Sequence, residues 1–196
     1  MRYRAGLTGG ALKVPESRVI ADLLLRGCDE AQWEAVLYGE NALQTRGWRS
    51  TQRLVLLIRK RLETMGSDLW RLVRDGSGLV AAHACLAAAV KESALLGDFL
   101  DLVVREQYRI FSPALSNSLW ERYVDDCRGR DPEMPAWSLS TIERLRSSVF
   151  QILAQAGYVE NTRTLKLQTV HIALEVLRTL RDHDERYVLR CIEVSP

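Results

Sequence analysis

The stretch "STIERLRSSVFQILAQAGYVENTRTLKLQTV", residues 140–170, decides how the chain is read. Its first half repeats apolar residues at helical spacing. On a wheel centred on Ile142, residues Leu145, Val149, Ile152, Leu153 and Ala156 make one apolar stripe. Ser138 or Ser140 is placed to cap this helix, and Gly157 to stop it in the left-handed conformation that helix ends favour. After the glycine the period changes. Tyr158 to Glu160 and Leu165 to Thr169 alternate in twos around the polar turn "NTRT", which predicts two short strands. A helix followed by a small hairpin is the pattern of a winged helix, in which the helix enters a DNA groove and the hairpin touches the backbone. A plain helical domain that happens to carry a hairpin is the other reading.

The helix face opposite the apolar stripe carries Ser140, Arg144, Ser147 and Gln151. These types suit a groove, because arginine pairs with guanine edges, glutamine with adenine edges and serine with phosphate. Arg146 lies beside the apolar stripe and is expected in an internal salt bridge. The turn and second strand add Arg163 and Lys166, cations placed as a wing needs them. Over residues 138–170 Arg144, Arg146, Arg163 and Lys166 face only Glu143 and Glu160. Against the pattern, the place of the usual preceding helix is held by the proline-containing loop 129–137. A helix-turn-helix must then use the helix near 117–127 with a long turn.

Outward from this stretch, residues up to 128 read as helices without a convincing strand. Pro15 opens one that Gly27 ends, and Asp29 with Gln32 forms a capping box for the next. Ser50 or Thr51 is expected to cap "QRLVLLIRKRLETM". Ser67 opens a short helix, two apolar helices follow near 78–92 and 94–111, and Ser116 caps another. The loop "RGRDPEMPAWS" is the best boundary. After a helix near 172–182, "RYVLRCIEV" has the composition of a third short strand. The expected fold class is mainly α: an all-helical bundle over 1–128, then a winged-helix-like unit with a small β-hairpin over 129–196, separate or packed as one body.

A second basic segment lies at residues 44–65, where Arg46, Arg49, Arg53, Arg59, Lys60 and Arg61 meet only Glu63. Arg49, Arg53 and Lys60 are candidate DNA contacts there. Trp48 can stack on a base or plug the bundle end. The plug is preferred, since tryptophan is commonly largely buried.

The 196 residues, 47% hydrophobic and 27% charged with a net charge of +2, describe an ordinary globular chain whose basic surfaces are local. Cys28, Cys85, Cys127 and Cys191 are far apart, which favours reduced, structural thiols and a cytoplasmic setting. With His83, His171 and His183 as the only histidines, no zinc-ligand spacing can be assembled. His83, inside "LVAAHACLAAAV", reads as a hydrogen-bonded core histidine. That run is too short for a membrane span, which needs about 20 residues. No phosphate loop, metal motif or nucleophile elbow is present. The chain is therefore expected to be no enzyme, to need no cofactor, and to have no small-molecule substrate and no membrane partner.

The stretches "YRAGLTGGALKVPESRVIADLLLRG", "LLGDFLDLVVREQYRIFSPALS", "CRGRDPEMPAWSLSTIERLRSSVFQILAQAGYVENTRTLKLQTV" and "YVLRCIEV" together resemble the BrxA family, small helical components of BREX bacteriophage-exclusion systems, along essentially the whole chain. The resemblance implies a bacterial, cytoplasmic protein encoded with a methyltransferase, large ATPases and a phosphatase-like protein. It further implies phage defence and DNA binding rather than catalysis, and with the groove-suited helix face and hairpin cations the expected partner is duplex DNA. The family's N-terminal part is similar to an RNA-binding transcription-antitermination factor, which leaves RNA open. A scaffold that docks other BREX proteins is the remaining alternative.

Overall fold

The run "AAHACLAAAV", which is too apolar on every side for a surface helix, makes the axis of the fold. In the computed structural model, which describes residues 2–196, it lies in α5 (Gly78–Glu92), where every residue from Ala81 to Val90 is buried. The alanines let neighbouring helices approach closely. Around α5 pack α1 (Val14–Arg26), α3 (Trp48–Leu62) and α4 (Ser67–Asp75), with α10 (Leu174–Asp182) and α11 (Arg186–Ile192) on another side. The capping box of Asp29 and Gln32 opens α2 (Glu30–Glu34), which runs on through a π-wound turn to Gly39. No single helix among the described residues is long and apolar enough to cross a membrane.

The chain then passes along α6 (Ala94–Asp98), a π-wound segment and α7 (Arg105–Arg109), one continuous rod. The rod positions α8 (Asn117–Arg130). Phe99 meets the rings of Trp120 and Tyr123 edge-on at 5.2 Å each, and the Tyr123 hydroxyl donates to the Leu95 carbonyl at 2.8 Å. Such aromatic contacts add roughly 0.5–1.5 kcal/mol beyond burial. From α8 the Trp120 indole donates to the Ile142 carbonyl at 3.1 Å, fixing α9 (Leu139–Gln155) beside it. Asp98 on the rod is buried and accepts from the hydroxyls of Tyr3 and Tyr187, both at 2.8 Å. Gly97 leaves the space that Tyr187 occupies.

Leu145, Val149, Ile152, Leu153 and Ala156 are all buried, and Gly157 has φ +87°. Beyond it the two-residue alternation gives isolated antiparallel bridges rather than extended strands. Val159 pairs with Leu167, and Ala114 pairs with Lys166. The segment 113–115 was invisible in the sequence, because Pro113 and Ala114 have little strand propensity and Pro113 uses only its carbonyl, accepting from Leu167 N at 3.0 Å.

Two expectations need correction. The segment expected as a third strand is α11: Val188, Cys191 and Ile192 are buried at i, i+3 and i+4, a helical spacing that docks the segment on α5. And α3 begins at Trp48, not after Ser50 or Thr51. Gly47 is its N-cap, extended at φ −175°, and its carbonyl accepts from Ser50 N and Thr51 N.

His83 ties the axis to the far end of α9. Its Nε2 faces the Ala156 carbonyl at 3.2 Å, and its Nδ1 accepts from Ala173 N at 3.0 Å. The ring is thus neutral with the proton on Nε2. Burial lowers its pKa below the ordinary histidine value. The buried cluster runs without a break from Tyr3 to Val194. Cys85, Cys127 and Cys191 are buried free thiols, and burial pushes Cys85 and Cys191 up to about 11.

Candidate nucleic-acid interface

Ser138 caps α9 by accepting from Thr141 N at 3.3 Å, so the 17-residue helix starts with its register fixed. The buried stripe then turns Ser140, Arg144, Ser147 and Gln151 outward, and all are exposed. Among the described residues Arg144 has no acidic partner. Ser147 commits its proton to the Glu143 carbonyl at 2.9 Å and presents an acceptor outward. Arg146 spans to Glu121 on α8 at 3.2 Å, the internal pairing expected of it.

The turn that follows is held by its own side chains. Asn161 Oδ1 accepts from Arg163 N at 2.9 Å and from Thr164 N at 2.8 Å. The Thr164 hydroxyl donates to Glu160 at 2.9 Å. Leu165 takes the left-handed backbone, φ 51°, to close the turn, and is buried. Arg163 and Lys166 are exposed, and neither has an acidic partner among the described residues.

These parts meet in one shallow cleft. Asn117, Arg146, Ser147, Phe150, Gln151 and Thr162 line it, joining the start of α8, the outer face of α9 and the turn. A second depression, lined by Ser140, Glu143, Arg144, Ser147 and Ser148, continues along α9. The α9 residues and the turn are therefore brought together. Asn117 was missed in the sequence. Its one signal was its place directly after Ser116, which was read only as a cap.

The α3 residues lie elsewhere, on a helix packed against α1 and α5. Arg49 and Arg53 are exposed. Lys60 reaches Glu92 at 2.5 Å. Nearby, Arg59 pairs with Glu63 at 2.5 Å and Arg61 is buried, donating to the Ala11 carbonyl at 3.0 Å. Trp48 does not plug the bundle end. It is 60% exposed, because the earlier start of α3 sets it on the flank of the helix. Among the described residues no three His, Cys, Asp or Glu side chains converge as metal ligands.

The BrxA family profile matches residues 1–184. The chain belongs to the BrxA family. A BREX protein BrxA of Paramagnetospirillum magneticum (strain ATCC 700264 / AMB-1) is 51% identical over 194 residues, covering 99% of this chain and 98% of its own length. A BREX protein BrxA of Escherichia coli O9:H4 (strain HS) is 32% identical over 187 residues, covering 95% and 88%. The crystal structure of an uncharacterized protein from Magnetospirillum magneticum matches with TM-score 0.92 at 51% identity over 100% of both chains. The named BrxA proteins thus share the sequence, and the solved structure shares the helical fold described above.

Proposed function

We propose that this BrxA-family chain is a non-enzymatic, cytoplasmic component of a bacterial BREX antiphage system that binds duplex DNA. The order rod, 113–115, α8, α9, 158–160, turn, 165–168 supports a winged-helix reading, with α9 as the groove-facing helix. The loop 131–138 is a long turn between its two helices, and Asp131 anchors it by accepting from Arg2 N at 2.5 Å and Tyr3 N at 3.1 Å. The observation that carries the reading is the cleft shared by α8, α9 and the turn, with the unpaired Arg144 in the adjoining depression along α9 and the exposed Arg163 and Lys166 on the chain next to Thr162. Other BREX proteins are its expected partners.

The test is a titration of the purified protein with duplex DNA at rising salt. The logarithm of affinity should fall against log salt by about 0.9 per phosphate contact. Arg163→Ala and Lys166→Ala should each flatten that slope by about one unit and weaken all sequences alike. One observation favours a second reading. Ile110 and Phe111 are 59% and 90% exposed, with Phe111 in the left-handed backbone at φ 53°. An exposed apolar pair suits a protein partner. Duplex affinity that ignores salt and both substitutions would leave the scaffold reading in place of DNA binding.

A further inference from the structure

The N-terminal half of α3 is charged beyond anything the fold uses. Thr51, Val55, Ile58 and Leu62 fill its inward seam, and the cations of its last turns are occupied by Glu63, Glu92 and the Ala11 carbonyl. That leaves Arg46, Arg49 and Arg53, all exposed. None has an acidic partner among the described residues, and Glu34 and Glu40 of the adjoining segment form no ion pair with them. Arg49 and Arg53 lie one helical turn apart on the outward stripe. Leu56, 61% exposed, continues it.

At the start of this stripe stands Trp48, an indole 60% exposed with the Arg49 guanidinium 5.7 Å from its ring centroid. A large aromatic ring left in water gives the fold little, and unpaired cations held side by side oppose folding. Both are accounted for by a polyanion that carries free aromatic faces. A duplex keeps its base faces stacked on one another, so an exposed indole gains little from it. An acidic peptide answers the cations but not the ring. Single-stranded nucleic acid answers both, with bases stacking on aromatics and phosphates following a basic track.

We infer that the Trp48–Arg49–Arg53 face of α3 is a second nucleic-acid site, which takes single-stranded DNA or RNA by stacking an unpaired base on Trp48 with phosphates on the arginines. It is independent of the α9 cleft and stands whether or not that cleft binds duplex.

The test titrates the full chain with an oligothymidylate, an oligouridylate and a blunt duplex, each roughly 15 nucleotides long, following tryptophan emission and fluorescence anisotropy. Single strands should quench emission. Trp48→Ala should remove that quenching and weaken single-strand binding about tenfold, with duplex affinity unchanged. Trp48→Phe should restore the affinity but not the quenching. Arg49→Ala with Arg53→Ala should lower the single-strand salt slope by about 1.4. Preference between the two single strands assigns DNA or RNA, and equal binding keeps both. Thermal unfolding checks that each variant is folded, which the exposure of Trp48 favours. Wild-type single-strand affinity in Trp48→Ala overturns the inference, as does an equal loss for single strands and duplex. Loss of duplex binding alone in Arg163→Ala and Lys166→Ala bears on the α9 cleft and leaves this site standing.

Discussion

Helices α9 and α3 both turn unpaired arginines to solvent, yet they are built in opposite ways. The α9 surface is assembled from three elements, with Asn117 from α8, Ser147 and Gln151 from α9 and Thr162 from the turn lining one cleft. The α3 surface belongs to one helix, and its charge divides along the length: Arg59, Lys60 and Arg61 have partners, Arg49 and Arg53 have no acidic one. A concave, composite surface matches the curved outline of a duplex. A convex stripe headed by an indole matches a strand that can bend to it. Net charge hides both, since +2 over 196 residues says nothing of where cations lack acids.

The largest effect separating the two should come from Arg144. If it reads a base edge, Arg144→Ala costs on the order of 1–3 kcal/mol on preferred duplex sites and nothing on single strands. Competition binding with a pool of random duplexes measures this. A uniform loss over all sequences would reduce Arg144 to a phosphate contact and remove the claim of groove reading. A loss on single strands would erase the distinction between the two faces.

A smaller effect should follow pH through His83, which joins α5 to the end of α9 and has no part in α3. In the unfolded chain His83 titrates near 6.5, while burial holds the folded value lower. The folded state therefore binds fewer protons in that window. Its stability is complete above about pH 6.5 and is lost as pH falls toward the folded value, by at most about 1.4 kcal/mol per pH unit. Thermal unfolding at about pH 8 and about pH 5.5 should show this decline, and His83→Gln should flatten it. A decline of equal size in wild type and variant would mean that other groups set the acid limb.

What the sequence made legible follows the same division. The α9 stripe, its Ser138 cap and the Gly157 stop were plain because a 17-residue helix repeats its period several times. Arg146 was assignable to a salt bridge from its wheel position alone. The start of α3 was not, because serine and threonine are the usual caps and Gly47 took their place. The earlier start put Trp48, the expected plug, in the first turn of α3, where it is exposed. The α11 run is short enough to fit either period, and only docking on α5 decides it. Segment 113–115 depends on a partner at Lys166, far along the chain. The pairing of Lys60 with Glu92 is equally remote, separated by 32 positions.

That pairing gives the smallest binding effect and a sharp contrast with the arginines upstream. Lys60 was grouped with Arg49 and Arg53 as a DNA contact, and it shares their stripe. Its ammonium, however, is the only hydrogen-bond partner of the Glu92 carboxylate among the described residues. That side chain is 8% exposed, and its second oxygen has no hydrogen bond. To serve a phosphate, Lys60 would have to take from a nearly buried carboxylate its one hydrogen bond, leaving it only the through-space charge of Arg61, which costs roughly 1–3 kcal/mol. A single phosphate contact in water does not repay that. Lys60→Ala should therefore change both duplex and single-strand affinity by less than about twofold and leave the salt slopes alone. The melting temperature should fall, and Lys60→Ala combined with Glu92→Gln should recover part of the loss by removing the stranded charge. Anisotropy titrations beside thermal unfolding decide it. A salt slope lowered by a full unit in Lys60→Ala, with no change in melting temperature, would return Lys60 to the nucleic-acid track and lengthen the α3 site by two helical turns.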